Sequence, residues 1–255
     1  MTKLDERIRD KVVFLSGATG GLGRSMAERL AEEGAHLVLT DLDEQACQAM
    51  AEELAGTRGR HLTAGLDVAD EAQWVAVADL IQREHGRLDG LVNNAGIGSI
   101  ATVEEENVEH WDTVMSVDST GVWLGMKHLG PLLAASGGGS IVNLSSILGT
   151  VGGLGNSAAY AAAKGAVRTL SKNAALHWAS AGVRVNSLHP GFIGTAELLE
   201  RYEGTPRHEA MLANTPVGRL GTGAEIAAVV AFLVSDDSTF VTGSEIYADG
   251  GYTAR

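Results

Sequence analysis

The chain has 255 residues, 45% of them hydrophobic, and no long polar linker, so one large core and a single domain over residues 1–255 are expected. A formal net charge of −13 leaves no basic stripe to neutralise phosphates, which argues against a nucleic-acid partner. Cys47 stands alone, excluding an internal disulfide and suiting a reducing compartment. No apolar run approaches the roughly 20 residues of a membrane span, and residues 1–9 are charged instead of signal-like, so a cytoplasmic location without a membrane partner is expected.

In chain order, short β-branched or apolar runs at 12–16, 36–40, 60–64, 88–93, 140–144, 183–188 and 245–248 predict strands. Helical patterns at 22–33, 44–55, 71–85, 108–133, 158–181 and 224–234 lie between them. The alternation, with strands too apolar for a half-exposed sheet, predicts an α/β fold: a doubly wound, mostly parallel seven-stranded sheet with helices on both faces. Gly137, Gly138 and Gly139 read as a turn. The stretch 195–222 is long for a connection and follows a strand's carboxyl end. It reads as a lid over a ligand, with a variable surface excursion as the alternative.

The first strand runs straight into Gly17, Ala18, Thr19, Gly20, Gly21, Leu22 and Gly23, and then into a helix. Gly17 permits the tight turn, Gly21 lets backbone approach a pyrophosphate, and Gly23 lets helix pack close on strand, while the helix N-terminus offers N–H groups and positive dipole. Asp41, beside Leu42, ends the second strand 24 residues after Gly17, where an acid can bind both hydroxyls of the adenosine ribose. A 2′-phosphate there would meet a like charge, about 4 kcal/mol per unit pair at 4 Å and an effective dielectric of 20. The expected cofactor is therefore NAD, not NADP. Asp43 reads as the cap of the next helix.

Tyr160 and Lys164 lie four residues apart in a helical stretch, so both side chains leave one face a turn apart. Reducing a ketone needs a proton donor at the developing alkoxide, and oxidising an alcohol needs the matching base. A free tyrosine titrates near 10, and lowering it by about 3 units takes roughly 4 kcal/mol. One ammonium about 4 Å away supplies that order of energy.

Taken together, Ser16-Gly17-x-x-x-Gly21-x-Gly23, Asn93-Asn94-Ala95-Gly96 and Tyr160-x-x-x-Lys164 resemble the short-chain dehydrogenase/reductase family in order and spacing, over essentially the whole chain. The resemblance implies a Rossmann-type domain. It implies that Asp67 and Val68 hold the adenine, that Asn94, Ala95 and Gly96 line the cofactor with Thr19, Gly20, Leu22 and Leu42, and that Pro190, Gly191, Ile193 and Thr195 meet the nicotinamide. Tyr160 and Lys164 would face the nicotinamide ribose. Ser146 would donate to the substrate oxygen beside Tyr160, with Ser145 as its rival. The family usually separates this serine from the tyrosine by 13 residues; here Ser146 is 14 before Tyr160, which implies one extra residue in the loop 149–156. Ser16 stands where the family usually has Thr.

The clearest departure is Asp118, where the family commonly has Asn, whose backbone carbonyl holds a water of a proton relay. A carboxylate here could also pair with Lys164 and weaken its pull on Tyr160. Glu104 to Glu106 read as a solvated helix start, not a metal site, and His189 as a residue without a proton-transfer role. Trp74, Trp111, Trp123 and Trp178 read as packing or subunit-contact residues. Leu148, Thr150, Leu154, Leu198, Leu199 and Met211 suggest a predominantly apolar substrate pocket. The expected activity is NAD-dependent interconversion of a hydrophobic secondary alcohol and its ketone, by an enzyme resembling the secondary-alcohol and hydroxysteroid dehydrogenases, usually homotetramers. Two rivals remain open: a 3-oxoacyl-(acyl-carrier-protein) reductase, and a non-catalytic nucleotide-binding scaffold.

Overall fold

In the computed structural model, which describes residues 7–254, β1 (Val12–Ser16), β2 (His36–Asp41), β3 (Leu62–Gly65), β4 (Gly90–Asn93), β5 (Gly139–Leu144), β6 (Val183–Pro190) and β7 (Glu245–Ala248) form one sheet in the order β3-β2-β1-β4-β5-β6-β7. All six pairings are parallel. Most of segment 1–9, with its charged start at 1–6, lies outside the described residues. β1 is buried along its whole length. Val13 and Leu15 enter one core with Met26, Leu30 and Ile226, whereas Val12 and Phe14 enter the opposite core with Trp74, Leu129 and Val167. Both faces of the strand are therefore apolar, as a sheet covered on two sides requires.

The helices are α1 (Gly21–Glu32), α2 (Glu44–Glu53), α3 (Glu71–Glu84), α4 (Val108–Met115), α5 (Gly121–Ala135), α6 (Ala158–Trp178), α7 (Ala196–Tyr202), α8 (Pro206–Asn214) and α9 (Gly223–Val234). Asp43 caps α2 by accepting from Gln45 N and Ala46 N, and Thr222 with Glu225 forms a reciprocal capping box on α9. Between β1 and β4 the strand order turns back on itself, opening a crevice at the strands' carboxyl ends.

One expectation is corrected. The helix predicted over 108–133 is two helices joined by a π-turn, Ser116–Thr120, whose extra residue per turn changes the direction in which Asp118 leaves the backbone. The stretch 195–222 holds two short helices: Thr195 and Thr205 cap α7 and α8 through the amides of Leu198 and His208, and Pro206 occupies the first turn of α8. Glu104 and Glu105 lie in a turn ahead of α4, whose cap is Asn107. Trp74 is fully buried, 5.4 Å from the Phe14 ring, with Nε1 donating to Val68 O at 2.9 Å. Trp111 and Trp123 are exposed.

Candidate active site

The glycine turn is built by close approach. Gly17 has φ +63°, and a Cβ on Gly23 would lie 1.9 Å from Gly17 O, so neither position tolerates a side chain without backbone movement. Gly20 caps α1 without any side-chain hydrogen bond, and the first turn of α1 holds no acid. The opening amides and dipole of this helix are thus free for an anion, which suits a pyrophosphate. Ser16 Oγ accepts from Asn94 N and Ala95 N, each at 3.1 Å, and Asn94 Nδ2 donates to Ser16 O and Gly17 O at 3.0 and 2.9 Å. A hydroxyl at residue 16 therefore stitches the end of β4 to the turn.

Asp41 reaches back to the same turn: Oδ2 accepts from Thr19 N at 3.0 Å and Thr19 Oγ1 at 2.6 Å, and Oδ1 accepts from Leu42 N at 2.8 Å. A cavity of about 460 Å³ is lined by Gly17, Thr19, Gly20, Gly21, Leu22, Gly23, Asp41, Leu42, Asp67, Val68, Asn94, Ala95, Gly96 and Thr195. Pro190, Gly191 and Ile193 lie one step further, in an adjoining cleft of about 250 Å³ with Asp118, Ser145, Ser146, Tyr160 and Lys164.

Lys164, on the same helix face as Tyr160, is buried; its Nζ donates to Leu144 O at 3.0 Å and lies 3.1 Å from Asp118 Oδ2 and 5.5 Å from the Tyr160 ring centroid. Burial disfavours its ammonium, but Asp118 and Tyr160 outweigh burial and raise its pKa above the ordinary lysine value. Asp118 is fully buried, and its Oδ1 accepts from Ile97 N at 2.8 Å. A Cβ on Gly96 would come within 2.9 Å of Asp118 Oδ2 and 3.2 Å of Lys164 Nζ, so the glycine makes room for this ion pair.

Ser145 and Ser146 are separated by their bonds. Ser145 Oγ donates to Lys164 O at 2.9 Å, tying β5 to α6, whereas Ser146 Oγ only accepts from Leu148 N at 3.1 Å and retains its proton for another partner. His189, fully buried, braces this strand end: Nδ1 meets Ser146 O at 2.9 Å and Nε2 meets Ser187 Oγ at 2.9 Å. Burial pushes its pKa down. Sequence reasoning missed this brace, because no spacing relates residues 189 and 146.

Beside Tyr160 and Ser146 opens a third cleft, about 270 Å³, which includes Leu148, Leu198 and Met211. Thr150, Leu154 and Leu199 are not among its lining residues. Thr150 bonds elsewhere, with Oγ1 2.9 Å from Tyr247 Oη. The cleft also holds Glu197, Arg201, Tyr202 and Arg207, so the expectation of a predominantly apolar pocket is corrected. Helices α7 and α8 bring in charges that the leucine pattern did not register.

A family model described as enoyl-(acyl carrier protein) reductase matches residues 17–253. The chain is 40% identical over 249 residues to cyclopentanol dehydrogenase of Comamonas sp. (strain NCIMB 9872), covering 98% of this chain and 99% of that protein. It is 40% identical over 260 residues to trans-4-hydroxycyclohexanecarboxylate dehydrogenase of Sinomonas cyclohexanicum, covering 100% and 97%. Among solved structures, that of gox2181 superposes with a TM-score of 0.93 at 28% identity, over 98% of each chain. The glycine turn, the tyrosine and lysine beside it, and similarity along the full length converge on one conclusion: the chain belongs to the short-chain dehydrogenase/reductase family, and its cofactor is a nicotinamide dinucleotide.

Proposed function

We propose that the protein is an NAD(H)-dependent dehydrogenase that interconverts a small alicyclic secondary alcohol and its ketone. The observation that carries this reading is the meeting of Ser146, Tyr160 and the buried Lys164–Asp118 pair in one cleft that adjoins the glycine-lined cavity. The relatives named above act on ring alcohols, one neutral and one bearing a carboxylate. A substrate cleft of about 270 Å³ lies just below the usual range for drug-sized ligands, roughly 300–1,000 Å³, which favours a single ring over a steroid.

Bound nicotinamide supplies the hydride acceptor in oxidation and the donor in reduction. In oxidation, Tyr160 takes the hydroxyl proton as the carbonyl forms; in reduction it returns that proton to the alkoxide. Ser146 donates to the same substrate oxygen, stabilising the charge that builds there. Lys164 favours the phenolate of Tyr160 by its charge and has ammonium protons left for the nicotinamide ribose. Asp118 moderates that charge. The α7–α8 segment, with Leu198 and Met211 in the cleft, serves as a lid that limits water.

NAD is preferred because Asp41 is held at the adenosine end by Thr19 and Leu42. Ribose hydroxyls can share its oxygens, whereas a 2′-phosphate would meet a fixed like charge. Exposed Val103, Val108, Trp111 and Trp123 on and beside α4 and α5 support a homotetramer, as the family likeness suggests. The lone buried Cys47 supports a reducing, cytoplasmic setting. An acyl-carrier-protein substrate is less favoured, since an acidic partner would approach a chain of net charge −13.

The test is turnover of NADH and NADPH with cyclopentanone, cyclohexanone and an acetoacetyl thioester, repeated with Tyr160→Phe. NADH oxidation with a cyclic ketone, reduced by about a hundredfold or more in the variant, is expected. Preference for NADPH with the thioester would overturn the substrate and cofactor assignment. Unchanged turnover in Tyr160→Phe would remove Tyr160 from the chemistry.

A further inference from the structure

We infer that the cleft is built for a ring alcohol that carries a carboxylate, with Arg207 and Arg201 as its anion-binding groups; this rests on the reading of Tyr160 as the reacting end. Ser146 and Tyr160 stand with Leu148 in the cleft that Arg201, Tyr202 and Arg207 enter from α7 and α8. Arg207 is half-buried and prearranged. Its Nη1 donates to Asn156 Oδ1 at 2.9 Å, and its guanidinium carbon lies 5.2 Å from the Tyr202 ring centroid. Its Nε is buried and has no hydrogen-bond partner. Arg201, which is exposed, approaches the same ring at 5.9 Å.

Neither arginine pairs with an acid among the described residues. This is unusual in a chain with 32 acidic against 19 basic side chains. Arg7, Arg24, Arg29, Arg60, Arg83 and Arg87, for example, all hold a carboxylate, and Arg184 is engaged by backbone carbonyls. Two unneutralised guanidinium groups near one tyrosine ring, in the cleft that would take the substrate, call for an anionic ligand group. A planar fork fixed by stacking and by one hydrogen bond offers its remaining donors to a carboxylate in two-point geometry. Glu197 is the one opposing charge on the cleft wall; two arginines against one glutamate leave the wall cationic. Asp118 is already matched by Lys164. A neutral ring alcohol would occupy the reacting end and leave both arginines without a partner, so the charge discriminates among substrates that fit equally well.

The experiment compares kcat/KM for NAD-dependent oxidation of cyclohexanol, of cis- and trans-4-hydroxycyclohexanecarboxylate, and of the matching carboxamides, in wild type, Arg207→Gln and Arg201→Gln. The amides keep shape and hydrogen bonding and remove the charge. The acid should exceed its amide by about tenfold or more, and this acid-to-amide ratio should collapse in Arg207→Gln. Arg201 is exposed, so its variant reports on the charge without risk to folding, and a smaller loss in the ratio is expected there. If cyclic alcohols are oxidised but the amide equals the acid, the anion site is overturned while the dehydrogenase reading stands. If no alcohol is oxidised, binding of cyclohexanecarboxylate to the NAD-loaded protein, read by calorimetry, decides separately. Saturable binding that Arg207→Gln weakens about tenfold upholds the anion site even though the reaction is wrong, and absence of binding overturns it.

Discussion

Replacing Asp118 by Asn removes the one negative charge that faces Lys164 without removing the acceptor for Ile97 N, since an amide oxygen can take that bond. At 5.5 Å from the Tyr160 ring centroid, the Lys164 charge acting alone favours a phenolate by about 3 kcal/mol at an effective dielectric of 20. Asp118 Oδ2 is 3.1 Å from that ammonium, so it acts on the same ring from no more than about 9 Å and returns about 2 kcal/mol with opposite sign. The wild-type pair thus exerts only a fraction of the lysine's pull. In the Asp118→Asn variant the pH at which alcohol oxidation reaches half its plateau should fall by about 1.5 units, since 1.36 kcal/mol corresponds to one pH unit. A second consequence has the opposite direction at high pH: without its carboxylate, buried Lys164 loses its proton more readily, so a descending limb should enter the profile. The assay is kcat/KM for oxidation of a cyclic alcohol from pH 5 to 11, with calorimetric unfolding to verify the fold. An ascending limb that stays in place or moves upward refutes the reasoning and leaves only the backbone of residue 118 with a role.

Three further outcomes are expected. Asp41→Ala should lower kcat/KM for NAD by about 10- to 100-fold, the loss of charge-assisted hydrogen bonds worth roughly 1.5–3 kcal/mol, and should narrow the gap to NADP in a paired assay of both cofactors; equal loss for both would argue against selection by Asp41. Gly23→Ala, which would put a methyl group 1.9 Å from Gly17 O, should destabilise the fold by at least about 1–3 kcal/mol in urea unfolding, and wild-type stability would mean that the turn is looser than the packing implies. His189 is buried with its pKa lowered below the ordinary 6.5, so its contribution to stability is complete above that pH and declines as pH falls toward the lower folded value. The melting temperature should therefore drop between pH 7.5 and 5, less steeply in His189→Gln; identical slopes would exclude His189 as a source of the effect.

Much of the site was legible because its signals are local. The glycine turn is a strand, a tight bend and a helix start within a dozen residues, each demanding a residue type for steric reasons. Tyr160 and Lys164 share a face by helical period alone, and the apolar runs on both faces of β1 declare a covered parallel sheet. Asp118 stood out as a departure, but its pairing with Lys164 depends on the π-turn at 116–120 and on the space left by Gly96, neither of which a 3.6-residue period reveals.

What only the tertiary structure decided concerns partners distant in sequence. His189 against Ser146, Ser16 against Asn94, and Thr150 turned toward Tyr247 are each set by strand order and by side-chain bonds between elements. The cleft beside Tyr160 is the sharpest case. It includes Leu148, Leu198 and Met211, expected from the sequence, and also Arg201 and Arg207, which no sequence pattern singled out. Charge on a helix surface is neutral information until packing determines what it faces, and here α7 and α8 bring Arg201 and Arg207 to the wall of the cleft that holds Tyr160, with no ion pair to an acid among the described residues. Local sterics and period thus settle the fold and the shared helix face of Tyr160 and Lys164 from sequence, whereas the charge of the cleft wall beside them arises only when α7 and α8 are packed against it.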